Sequence, residues 1–117
     1  MPSGDDVPEQ AAEQIADIMF ALSSPARVRL LSELLAGPCS VSELMEATGM
    51  EQSAVSHQLR VLREHRLVDV KRDGRRRVYA VTDQDIASLL DAARRHALRS
   101  VRGRAATAIG KVLRRAN

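Results

Sequence analysis

Apolar residues recur along the chain at two periods, and the change of period divides it. Pro8 can open a first helix, in which Ile15, Ile18, Met19 and Leu22 fall at i, i+3, i+4 and i+7. Ser23-Ser24 interrupts that stripe, and Ser24-Pro25 pairs a capping hydroxyl with proline at the first helical position. The second helix is expected to turn Val28, Leu31, Leu34 and Leu35 inward and to end at Gly37-Pro38. Ser40-Val41-Ser42-Glu43 has the form of a capping box, in which each end satisfies an orphan amide of the other. It opens a short third helix with Val41, Leu44 and Met45, stopped at Thr48-Gly49 because glycine tolerates the left-handed position after a helix. In the fourth helix Val55, Leu59 and Leu62 form the buried stripe. After Glu64-His65-Arg66 the period becomes alternating. Leu67, Val68 and Val70, then Asp73-Gly74, then Val78, Tyr79 and Val81 predict a two-stranded hairpin. Thr82-Asp83-Gln84-Asp85 caps a last helix striped with Ile86, Leu89, Leu90, Ala93 and Ala97.

The expected fold class is therefore mainly α with a small β-hairpin wing, a winged helix-turn-helix. Two short helices joined by about three residues that include a glycine are the helix-turn-helix signature. The polar face of the fourth helix carries Gln52, Ser53, Ser56, His57 and Arg60. These are short donors and acceptors ending in a cation, the lengths that reach base edges and phosphates in a major groove. A merely solvated face more often carries long Glu/Lys pairs. The hairpin tip, residues 71–77, holds Lys71, Arg72, Arg75, Arg76 and Arg77, five cations in seven residues. Like charges repel at a free tip, and phosphate binding offsets that repulsion while releasing counterions.

Composition narrows the partner. The chain has 117 residues, expected to form one domain, with residues 1–7 as a flexible tail and 100–117 as a basic C-terminal extension. One Tyr, one Phe and no Trp argue against stacking platforms for single-stranded nucleic acid. A single cysteine excludes an intramolecular disulfide and a multi-thiolate zinc site within one chain. No signal peptide or membrane-spanning segment is visible, so a cytoplasmic protein with no membrane partner is expected. Residues 1–59 hold two basic and nine acidic side chains, residues 60–117 sixteen basic and six acidic. That polarity suggests a polyanion for one face. Beyond the late helix, Ala105, Ile109, Val112 and Leu113 keep helical spacing while Gly103 and Gly110 weaken it. Eight cations and no acid lie between Arg94 and Arg115. A further helix packed on a dimer and a frayed basic arm both fit this stretch.

The order of elements, with Gln52-Ser53-Ala54-Val55-Ser56-His57-Gln58-Leu59-Arg60-Val61-Leu62, resembles the ArsR/SmtB family of bacterial transcriptional regulators over about residues 10–99. Ala21-Leu22-Ser23-Ser24-Pro25-Ala26-Arg27 and Asp73-Gly74-Arg75-Arg76-Arg77-Val78-Tyr79 support the likeness. Through Gly49–Arg63 it is nearest to the actinobacterial nickel/cobalt-sensing members. The resemblance implies a homodimer, joined through the N- and C-terminal helices, on a palindromic or imperfectly palindromic double-stranded DNA operator. Recognition helices would enter successive major grooves and wings would lie along the backbone. Gln52, Ser53, Ser56 and His57 would read bases, and Arg60 and the wing cations would contact phosphates. Such proteins usually repress when free and let go when an effector binds.

The effector pattern departs from the family. Where thiolate-type sensors place paired cysteines, this chain has Ser40 and Ser42, with Cys39 beside them. Hydroxyls do not hold a soft metal, and Cys39 alone reads as a thiol sensor or as a small buried hydrophobe. The site on the C-terminal helices, which bridges two subunits, corresponds to Asp83, Asp85, His96 and Arg99. Asp83 and His96 keep the family residue, Asp85 replaces a histidine, and Arg99 cannot ligate. Carboxylate and imidazole from two chains suit nickel, cobalt or zinc. Asp83 and Asp85 are equally explained as capping acids and His96 as a solvated helix residue. A weakened site, a site completed by N-terminal acids such as Asp5 or Asp6, and no metal site at all also stand. The alternative function is a winged-helix protein-interaction module, or a regulator that needs a partner protein, with no metal sensing of its own. An enzyme is not expected, because no nucleophile–base arrangement or phosphate-cradling glycine loop is present.

Overall fold

The computed structural model describes the backbone of residues 6–116 and the side chains of residues 6–105. Residues 1–5, with Asp5 and most of the expected tail, and the side chains of Ile109, Val112 and Leu113 lie outside the described residues. The order is α1 (Glu9–Ala21), α2 (Pro25–Ala36), β1 (Cys39–Ser40), α3 (Val41–Thr48), α4 (Gln52–Glu64), β2 (Val68–Asp73), β3 (Arg76–Val81) and α5 (Gln84–Ala116).

The local signals act as expected at most boundaries. Ser24 Oγ accepts from the Arg27 amide at 3.4 Å with Pro25 at the first helical position. The Ser40–Glu43 capping box is complete, with amide contacts of 2.9 and 3.2 Å. Gly49, at φ 72°, ends α3 in the left-handed conformation. Pro8 stands at the N-cap of α1 rather than inside it. The exit from α4 carries no glycine. Arg66 adopts φ 63°, while the Arg66 and Leu67 amides bond back to the Arg63 and Leu62 carbonyls at 3.0 and 2.9 Å. This Schellman closure turns the chain from α4 into β2.

The sheet has three antiparallel strands in the order β1-β3-β2, one more than the hairpin expected. Cys39 pairs with Tyr79 and Ser40 with Val78. A two-residue strand is too short to show alternation, so only pairing reveals it. The core joins Leu30, Leu31 and Leu34 of α2, Leu44 of α3, Val55, Leu59 and Leu62 of α4, and Leu67, Val68, Tyr79 and Leu90. One expected inward residue is misplaced: Val28 is exposed, and Leu30 is buried instead. Val28 faces a groove with Met19, Leu22, Leu89, Ala93 and Leu98. α5 runs unbroken for 33 residues, about 50 Å at 1.5 Å per residue. Gly103 and Gly110 lower helix propensity without stopping it. Among the described residues no helix is long and apolar enough to cross a membrane.

Candidate nucleic-acid interface

The amphipathic pattern of α4 fixes which residues it presents. Val55, Leu59 and Leu62 are buried, which turns Gln52, Ser53, Ser56, His57 and Arg60 outward, and all five are exposed. Bonds from behind hold the helix. Arg29 Nη2 donates to the Thr48 carbonyl at 2.6 Å, anchoring the turn before α4. The Thr48 hydroxyl donates to the Leu44 carbonyl at 2.7 Å and accepts from the Met50 amide at 3.3 Å. Arg27 Nη1 donates to Gln58 Oε1 at 3.0 Å. Glu51, the N-cap of α4, makes no side-chain cap, so the first-turn amides beside Gln52 and Ser53 add positive dipole to that end.

The wing supplies a second wall. Across the hairpin Arg72 pairs with Arg77, Val70 with Tyr79 and Asp73 with Arg76, and Gly74 takes φ 64° at the tip. The two-residue period puts Arg72 and Arg77 on the side of Tyr79, with Lys71 and Arg76 on the other. One concavity is lined by Gln52, Ser56, Arg60 and Arg63 of α4 together with Arg77 and Tyr79 of β3. The structure thus brings Arg77 to the polar face of α4. Arg76 is committed elsewhere, its Nη2 lying 2.6 Å from Glu43 Oε1 on α3. Lys71, Arg72 and Arg75 are exposed. Arg63, which shares the concavity, is not marked by the sequence pattern because it follows the polar stripe by one turn.

Residues 24–70, from the N-cap of α2 into β2, match the family described as bacterial regulatory protein, arsR family. The HTH-type transcriptional regulator NmtR of Mycobacterium tuberculosis is 53% identical over 87 residues, which are 74% of this chain and 72% of the relative. The chain belongs to the ArsR family. The crystal structure of Rv0081 from M. tuberculosis superimposes with a TM-score of 0.69 at 36% identity, covering 84% of this chain and 99% of that one. A homodimeric winged helix-turn-helix DNA-binding domain from Mycobacterium bovis, a possible ArsR-family regulator, gives a TM-score of 0.71 at 29% identity over 83% of this chain and 90% of that one. As an ArsR-family protein this chain is a DNA-binding transcriptional regulator and not an enzyme.

The residues matched to the ArsR effector site do not converge within one chain. Asp83 Oδ1 accepts from the Ile86 amide at 2.9 Å and so caps α5. Asp85 is exposed in the first turn, and His96 is exposed about 17 Å further along the helix axis. No group of three or more His, Cys, Asp or Glu side chains that could hold a metal occurs among the described residues. Arg94 and Arg95 approach Asp91 at 3.9 and 3.5 Å. In donor chemistry two carboxylates and an imidazole fit a borderline divalent cation only where a second chain brings its His96 to the first chain's Asp83 and Asp85. The Cys39 thiol is half-buried and approaches the Gly37 carbonyl at 3.4 Å. Burial first, then the carboxylates of Glu43 and Glu33, raise its pKa above the ordinary thiol value.

Proposed function

We propose that this ArsR-family chain acts as one winged-helix unit in a homodimer on a palindromic operator, in the cytoplasm, with α4 in the major groove. Gln52, Ser53, Ser56 and His57 read base edges. Arg60, Lys71, Arg72, Arg75 and Arg77 neutralise phosphate, and Arg76 joins them when Glu43 releases it. One observation carries this reading: Gln52, Ser56, Arg60 and Arg77, from two separate elements, line a single concavity. The second copy packs on the apolar groove between α1, α2 and α5, where Met19 and Val28 are exposed at 49% and 40%. Selection of DNA from a random-sequence pool, followed by footprinting, tests it: a protected two-fold site supports the reading, and uniform, sequence-independent binding defeats it.

The finer part of the proposal is a response to nickel, cobalt or zinc. Asp83 and Asp85 of one copy and His96 of the other would hold the ion, which would fix the relative placement of the two α5 helices. The resemblance through Gly49–Arg63 to the nickel/cobalt-sensing members, with Asp83 and His96 kept at ligand positions, supports it. A second reading, in which a partner protein supplies the sensing, is favoured by Arg99 at a ligand position and by the acid-free basic stretch from Arg94 to Arg115. Operator affinity measured with chelator, with each metal, and with added cell extract separates the two.

A further inference from the structure

Arg27 belongs to α2 yet joins two other helices. Its Nε donates to the Ala21 carbonyl at the end of α1 at 2.6 Å. Its Nη1 donates to Gln58 Oε1, midway along α4, at 3.0 Å. Ala21 O is one of the helix-terminal carbonyls that α1 cannot satisfy itself, and a guanidinium there also complements the negative end of the helix. The planar fork of arginine makes both bonds at once, which the single ammonium of lysine does not reproduce with the same geometry. Arg27 and Gln58 are half-buried behind the exposed face, so neither is a base reader. A second tie runs parallel to the first. His65 Nδ1, at the C-cap of α4, lies 2.8 Å from Asp17 Oδ2 of α1, and its ring sits 5.8 Å from that of Phe20.

We infer that Arg27, acting through Gln58, is a positioning residue that sets the recognition helix against α1 and thereby sets the spacing of the two recognition helices across the dimer. The inference rests on the dimeric operator-binding reading above. α1 fully buries only Ala21 in its own chain, packs Ile18 against the core and leaves Ile15 and Met19 exposed, so that exposed apolar surface serves the second copy. A helix that belongs to the dimer contact and is bonded to α4 fixes α4 relative to the two-fold axis. Removing the bridge leaves Val55, Leu59 and Leu62 in the core, so each α4 keeps its contacts to its own half-site. The separation between the two helices loosens, because α4 is then tied to α1 through the His65–Asp17 contact at its C-terminal end and no longer at its middle.

The test uses the full chain and a duplex that it selects from a random-sequence pool. Affinity is measured for that duplex, for a single half-site, and for versions with one base pair added or removed between half-sites. Arg27→Met and Gln58→Met are each expected to weaken full-site binding roughly tenfold, within the range of ordinary coupling between sites. The double variant is expected to weaken it no further. Half-site affinity stays at the wild-type value, and the penalty for altered spacing shrinks. Gln58→Glu keeps an acceptor for Arg27 and restores the spacing penalty. Equal losses on half-site and full site would reduce Arg27 to a fold-holding residue and overturn the inference. So would unchanged spacing penalties in the Gln58→Met protein, which keeps the test decisive if Arg27→Met does not fold. A wild-type chain indifferent to spacing would defeat the dimeric operator reading itself, and the positioning role with it, before any variant is made.

Discussion

Arg76 Nη2 lies 2.6 Å from Glu43 Oε1, tying the wing to the first helix of the helix-turn-helix. Both side chains are exposed, so the ion pair by itself adds little stability. Its weight comes from the second role of Glu43, which accepts the Ser40 amide at 2.9 Å to close the capping box. That amide first, then the Ser40 hydroxyl and the Arg76 guanidinium, holds the Glu43 carboxyl below its ordinary range. A depressed folded pKa contributes stability that is fully present above the unfolded carboxyl value of about 4.3. That contribution is lost as pH falls from there through the lower folded value. Melting temperatures across acid pH should therefore fall more steeply for wild type than for Glu43→Gln. Parallel curves would show that the carboxylate contributes nothing at this cap.

Replacing Ser56 and His57 together by Ala should abolish operator recognition and leave the dimer intact. Removing a hydrogen bond to a base edge costs about 1–3 kcal/mol at that position. Anisotropy on the selected duplex, with sizing of the free protein, checks both halves of the statement. A double variant that still footprints the same site would show that α4 is not the reader.

The wing cations should act through salt dependence. Each phosphate neutralised by one cation adds about 0.9 to the slope of log affinity against log salt. Changing Arg77 to Ala should flatten the slope, since Arg77 faces the α4 concavity. Changing Arg76 to Ala should flatten it less, because Glu43 already neutralises that guanidinium. Equal effects of the two would contradict the placement of Arg76.

Asp83 separates capping from metal binding. Asn caps helices as well as Asp does, whereas Ala costs about 0.5–2 kcal/mol at an N-cap. Asp83→Asn should keep wild-type thermal stability, and Asp83→Ala should lose it by that amount. If metal changes operator affinity tenfold, about 1.4 kcal/mol of coupling, both variants and His96→Ala should abolish the change. A metal response that survives all three places the sensor elsewhere.

Cys39 should react slowly with iodoacetamide at neutral pH, because its half-buried thiol is held protonated and the thiolate is the nucleophile. The urea-unfolded chain should react faster at the same pH. Equal rates would mean that the fold does not shield the thiol.

Much of the candidate interface was legible because its signals are local. The buried stripe Val55, Leu59 and Leu62 left only one face for Gln52, Ser53, Ser56, His57 and Arg60. The caps at Ser24, Ser40 and Asp83 and the left-handed Gly49 each depend on residues within one helical turn. Periodicity and capping chemistry over such spans determine the helix order, the hairpin and the polar face of α4 from sequence alone. The tertiary structure decided the rest. It paired Cys39-Ser40 with β3, exposed Val28 in place of Leu30, kept α5 continuous through two glycines, and closed α4 with Arg66 where no glycine marks the turn. It also bonded Arg27 to Gln58 across 31 residues and Arg76 to Glu43 across 33. No local period encodes such pairs. Which donor meets which acceptor is settled only when α1, α2, α3, α4 and the wing are packed around one core, which brings residues far apart in the chain within hydrogen-bond reach.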